Sequence, residues 1–188
     1  MRTFLLLCCT LPFLLSCSLP RTVFTSGDPG EDRPGRLLNI RIERWDRLRF
    51  SGLLGVRETA SGLDYVLLDA TGVKLLQAEV AGDGSFKMLQ ESGPLRESGL
   101  PPFLAEALAR IYLQEPDRLP CAGSWFYRLC REAGEDGSAV KYGQAGPFIV
   151  WRITGESGES AGTGETAVVY HQPWLGVKVK LIRMETGR

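Results

Sequence analysis

The sequence predicts a mainly β protein of the α+β class, an antiparallel meander forming an incomplete β-barrel wrapped around one principal helix. Three observations carry that expectation. Short apolar runs separated by turn signals recur about every ten residues through most of the chain. The apolar period lengthens to a helical one in a single stretch, from Pro101 to Gln114. The order strands, helix, strands suits one sheet bent around that helix better than a parallel α/β alternation.

The elements follow in chain order. From Arg47 to Arg57, Leu48, Phe50, Gly52, Leu54 and Val56 share one face and Arg47, Arg49, Ser51 and Arg57 the other, with Leu53 the exception. Ala60-Ser61-Gly62 turns the chain into a second run, Leu63 to Ala70, and Thr71-Gly72 into a third, Val73 to Ala81. Asp83-Gly84 is a strong hairpin signal before the fourth, Ser85 to Gln90. The stretch PPFLAEALARIYLQ then puts Phe103, Leu104, Ala107, Leu108, Ile111 and Tyr112 on one helical stripe. Proline opens that helix, and Pro116 lies just past its end. Strand-like runs resume at Ser124 to Cys130, Phe148 to Thr154, Thr166 to Gln172 and Leu175 to Met184, for eight or nine strands in all. The polar loop Gly155 to Glu165 is too rich in Gly and Ser to pack, so the runs on either side of it should pair as a long-looped hairpin.

Ahead of this domain the chain reads as an address and a tether. Met1-Arg2 is followed by Thr3 to Ser16, which carries no charge and is interrupted by Pro12. A membrane span needs about 20 apolar residues, so this stretch fits a secretory signal instead. Leu14-Leu15-Ser16-Cys17 resembles a bacterial lipobox, which implies cleavage before Cys17 and lipidation of its thiol. Two or three acyl chains would hold the protein on a membrane almost permanently. Ser18 follows where inner-membrane lipoproteins usually carry Asp, so the expected place is the periplasmic face of the outer membrane, in the cell envelope. Residues 1–16 are thus the signal peptide, 17–36 the lipidated N terminus with a Pro- and Gly-rich flexible tether, and 37–188 the half-barrel domain.

Charge and composition narrow the chemistry. With 22 Lys and Arg against 22 Asp and Glu, the chain lacks the basic field of a nucleic-acid binder. Its one histidine, His171, has no nucleophile at a recognisable spacing, so it reads as an exposed strand residue rather than a base, and the protein is not expected to be an enzyme. One His and two remaining thiols are too few for zinc, and no phosphate-binding Gly loop is present; no metal and no cofactor is expected.

The two remaining thiols are Cys121 and Cys130, left once Cys8 and Cys9 depart with the signal and Cys17 takes lipid. In an exported protein they suggest a disulfide worth about 2.7 kcal/mol in the chain-entropy model. Along one extended strand their Cα atoms would stand about 30 Å apart and along a helix about 13 Å, against a limit of about 7 Å. A bridge therefore requires the chain to reverse between them, near Gly123-Ser124; otherwise they are two buried free thiols.

The segment from Phe50 to Gly84 also resembles small bacterial lipoproteins of an uncharacterised family, often encoded beside genes for aryl polyene lipids. The likeness runs through Phe50-Ser51-Gly52-Leu53-Leu54 and through Leu67-Leu68-Asp69-Ala70-Thr71-Gly72-Val73-Lys74-Leu75. That family is thought similar in fold to the lipoprotein carriers LolA and LolB, which are incomplete antiparallel β-barrels closed by helices. The resemblance implies a half-barrel that binds or passes on a lipid or a lipoprotein acyl chain. Physical reasoning adds that a concave apolar face suits such a chain, since burying sixteen carbons yields up to roughly 12 kcal/mol before ordering costs. Alternation nominates Phe50, Leu54, Leu76, Val80, Trp151, Ile153, Val179 and Leu181 as lining residues, with Phe103 and Leu108 from the helix. Each of them would serve equally in ordinary core packing. The expected partners are the membrane, through the anchor, and lipid or lipoprotein acyl chains, with the protein a monomer. The alternative is a non-catalytic envelope interaction protein with a filled core and a protein partner.

Overall fold

The computed structural model describes residues 35–96, 98–134, 138–156 and 167–184. Cys17, the signal peptide and the tether as far as residue 34 lie outside the described residues, as does most of the polar loop after Gly155. The architecture is mainly β. Among the described residues, eleven antiparallel strands form one open sheet and a single principal helix packs on it.

Five strands precede the helix: β1 (Arg36–Arg44), β2 (Arg47–Thr59), β3 (Gly62–Asp69), β4 (Lys74–Ala81) and β5 (Phe86–Glu91). Six follow it: β6 (Cys121–Gly123), β7 (Tyr127–Ala133), β8 (Ala139–Ala145), β9 (Phe148–Glu156), β10 (Ala167–Gln172) and β11 (Val177–Arg183). The order across the sheet is β5-β4-β3-β2-β1-β11-β10-β9-β8-β7-β6, so the two meanders join through the β1–β11 pair. Strands β9 and β10 are antiparallel neighbours across the polar loop.

Three of these strands are not among the eight runs named from the sequence. The first, β1, buries Leu38, Ile40 and Ile42, but it starts directly after the Pro- and Gly-rich stretch. Arg36 already belongs to it, one residue inside the predicted tether. With only three residues, β6 is too short for a period to show. In β8, a buried lysine and a buried glycine break the apolar alternation. The run predicted from Ser124 starts instead at Tyr127, because Ser124 to Phe126 form the β6–β7 turn.

The helix α1 (Leu100–Leu108) begins after Gly99, whose φ of 65° a side chain would resist, with proline in its first turn. It runs into one wider π-helical turn, Ala109–Leu113, before the chain extends at Gln114. Leu104, Ala105, Ala107, Leu108 and Ala109 are buried. They belong to the same apolar cluster as Leu54, Leu67 and Leu76 from β2 to β4 and Leu129, Trp151 and Tyr170 from β7, β9 and β10. Strands from both wings meet one helix only if the sheet curls around it, and the helix therefore fills the concave side.

Strand direction sorts the connections. The β1–β2, β3–β4, β6–β7, β8–β9 and β10–β11 turns leave from one end of the sheet, here the rim end. The other four strand-to-strand connections, and Arg36 at the start of β1, lie at the opposite end.

Candidate functional site

The concave face carries all eight residues nominated from alternation, and the two helix residues, Phe103 and Leu108, pack into the same cluster. Leu54, Leu76, Leu108, Trp151 and Val179 are fully enclosed, and Val80, Ile153 and Leu181 nearly so. Phe50 and Phe103 are half-buried and pack against the same cluster. Alternation finds these residues because each strand has one wet face. It does not show how closely the apolar stripe of the helix covers them.

A polar seam ties the helix to the sheet. Arg110 donates to the Tyr170 hydroxyl at 2.5 Å, pairs with Glu106 one turn earlier, and lies over the Trp151 ring at 5.1 Å from its centroid. The indole nitrogen of Trp151 donates to the Tyr127 hydroxyl at 2.9 Å. Gly143 faces that indole across the sheet and has no room for a Cβ. Burial pushes the Tyr170 phenol up to about 12, with the Arg110 guanidinium opposing, and burial also raises Tyr127.

Lys141 holds the C-terminal end of the helix, just beyond Arg110. Its Nζ donates to the carbonyl oxygens of Ile111 at 3.2 Å and Gln114 at 2.8 Å, and to Glu115 at 3.1 Å. These are the carbonyls a helix terminus leaves unpaired, and a cation suits that end. Burial pushes the ammonium below the usual lysine range, while Glu115 pulls it back up. Sequence reading missed both Arg110 and Lys141. The Glu106–Arg110 spacing of four residues was the one available signal for Arg110; nothing local marks Lys141, whose partners lie 26 to 30 residues away.

The remaining predicted features have structural explanations. The sulfurs of Cys121 and Cys130 are bonded, and the two residues face each other in the β6–β7 register with Cα atoms 4.0 Å apart. The reversal lies at Ser124 to Phe126, one residue beyond the Gly123-Ser124 position anticipated. In the Leu67 to Leu75 motif, Asp69 is a turn-holding residue: its carboxylate accepts from the Thr71 amide and hydroxyl and from the Val73 amide, and Gly72 takes a φ of 85°. In the Phe50 to Leu54 motif the Phe50 ring covers Gly52, where a Cβ would strike it. His171 sits on the outer face between Arg152 and Lys178, and partial burial followed by the Lys178 charge lowers its pKa. Among the described residues, no group of three His, Cys, Asp or Glu side chains is placed to hold a metal.

Fold and site together define a class: an open antiparallel half-barrel closed by one helix, with an apolar interior and a polar helix-to-sheet seam. A scan of the chain against protein-family models finds no match, and a search of curated proteins finds none either.

Proposed function

We propose that the protein is a lipid-anchored half-barrel of the outer membrane that binds or passes on a lipid or lipoprotein acyl chain along its concave face, in the manner of LolA and LolB. The observation that carries this reading is the single cover on the apolar trough. Leu104 and Leu108 occupy the ground an acyl chain would take, and the helix is held by a few polar contacts from Tyr170, Lys141 and Tyr65. Lifting it would expose a continuous apolar strip between the sheet wings. The anchor in this reading is Cys17.

The test is native mass spectrometry of the chain from residue 17 onward carrying Cys17→Ser, expressed in bacteria. A co-purifying acyl species, displaced by added fatty acid, is the expected result. A chain that carries none and exchanges none would sink the reading.

The packing itself favours a second reading. Trp151 and Leu108 are fully enclosed, which is what a non-catalytic envelope interaction protein with a filled core requires. Under that reading cross-linking in the envelope captures a protein partner and mass spectrometry finds no lipid.

A further inference from the structure

Four turns at the rim end are linked into one continuous aromatic edge. The Trp45 amide, in the β1–β2 turn, donates to the Gly176 carbonyl of the β10–β11 turn at 2.7 Å, and the Trp45 ring lies on Gly176. In that second turn Trp174 meets Phe148, the first residue of β9 after the β8–β9 turn, edge-on at 5.6 Å between centroids, and its indole nitrogen donates to the Ile149 carbonyl at 3.1 Å. The Gly146 amide of the β8–β9 turn donates to the Phe126 carbonyl of the β6–β7 turn at 3.0 Å. There the Trp125 and Phe126 ring centroids lie 3.6 Å apart, with the planes tilted by 34°.

These rings face solvent. Trp125 is 74% exposed, Phe126 64%, Trp174 62%, Trp45 61% and Phe148 56%. An apolar edge of this extent on a folded domain marks a contact surface. The backbone supports that conclusion independently. Trp45 and Asp46 both adopt left-handed conformations, with φ of 53° and 57°, in a turn that ordinarily takes Asn-Gly. A bulky residue there is strained, and such strain collects at functional sites.

Charge identifies the occupant. Within these turns and the strand residues beside them stand Arg44, Arg47, Arg49, Arg128 and Lys178, against Glu43 and Asp46 alone. Asp46 and Lys178 pair with each other at 2.8 Å, which leaves four arginines against Glu43. Indole and phenyl rings on turn tips, backed by cations, match the interfacial layer of an anionic lipid bilayer. We infer that the rim is a docking edge for an anionic bilayer surface, inserting Trp45, Trp125, Phe126 and Trp174 at headgroup depth. The inference stands apart from the acyl-chain reading, because a permanently filled barrel would dock the same way. It is also separable from anchoring through Cys17, which the Cys17→Ser chain lacks.

The test is vesicle co-sedimentation with the chain from residue 17 onward carrying Cys17→Ser, which leaves every described core residue in place and removes the anchor. Vesicles of phosphatidylcholine with phosphatidylglycerol should bind it, with a blue shift in tryptophan emission and quenching by brominated lipid. Pure phosphatidylcholine should bind it at least about tenfold more weakly, at about 1 kcal/mol per basic residue near the surface. The pair Trp125→Ser with Phe126→Ser, at the most exposed tip, should cut binding by about tenfold or more with an unchanged circular dichroism spectrum and thermal midpoint. Equal binding by that pair, no preference for anionic vesicles, or rim tryptophans that quench only with a protein partner would each overturn the inference. Loss of co-purified lipid without loss of vesicle binding would sink the acyl-chain reading and leave this one standing.

Discussion

The four tryptophans divide between two regions of the molecule, and the division shows how one residue type serves two purposes. Trp151 is enclosed: it faces Gly143, lies under Arg110, and satisfies its indole nitrogen on Tyr127. Trp45, Trp125 and Trp174 stand on turns at the rim. Trp45 also uses a glycine as its seat, Gly176, yet it keeps most of its surface in water. A buried indole needs a partner for its one N–H and then contributes its whole area to stability. A rim indole contributes little to the fold and keeps that area for a contact outside it.

Four measurements break or sharpen this contrast. Trp151→Ala should lower unfolding free energy by about 3–5 kcal/mol in urea titration, because no neighbour can refill the space between β9 and the helix. A loss below about 1 kcal/mol would show a loosely filled interior and favour an acyl-chain site there.

Replacing Cys121 and Cys130 together by Ser should cost about 2.7 kcal/mol in the chain-entropy model. Because the β6–β7 hairpin also presents Trp125 and Phe126, vesicle binding should weaken alongside stability. Stability loss with undiminished binding would separate that hairpin from the docking edge.

Alkaline titration probes the polar seam beside Trp151. Folding raises the Tyr170 pKa from about 10 to about 12, so above pH 10 the unfolded chain has lost the phenolic proton while the folded chain still holds it. Stability is then fully present below pH 10 and falls as the pH climbs toward 12, by up to about 1.4 kcal/mol per pH unit from this residue. Tyr170→Phe should flatten that part of the profile, measured by urea midpoints at pH 9 and pH 11. An unchanged slope would place the phenol in water.

The smallest effect belongs to the rim. Trp125→Ser should leave stability within about 0.5 kcal/mol of the parent, as exposed substitutions do. A cost near that of Trp151→Ala would mean the ring is part of the core after all.

The two ends of the sheet differ in the same way. Among the described residues, the far-end turns at 60–61 and 82–85 carry Ser61 and Asp83 and no aromatic residue, whereas the rim turns carry three of the four tryptophans. Both sets of turns are legible in the sequence as breaks between apolar runs. Their separation to opposite ends is not, because it depends on counting strands correctly. Missing β1, β6 and β8 scrambles the alternation of up and down, and with it the side on which each turn emerges. The lining residues were legible for the converse reason: Leu54, Leu76, Val80 and Val179 each follow from a period of two within a single strand. Arg110 and Lys141 were not, since their meaning comes from partners on another element.

The sequence by itself determined the class, the alternating inner residues, the helix between Pro101 and Gln114, and the turns at Thr71-Gly72 and Asp83-Gly84. Those features arise from short-range sterics and periodicity, which ten residues can encode. Tertiary structure alone decided how completely the helix fills the concave face, which of the two thiol alternatives holds by setting Cys121 opposite Cys130, and that aromatics scattered from Trp45 to Trp174 form one edge. Each of these is a relation between elements distant along the chain, set by sheet curvature and strand order, and no local pattern of residue types carries it.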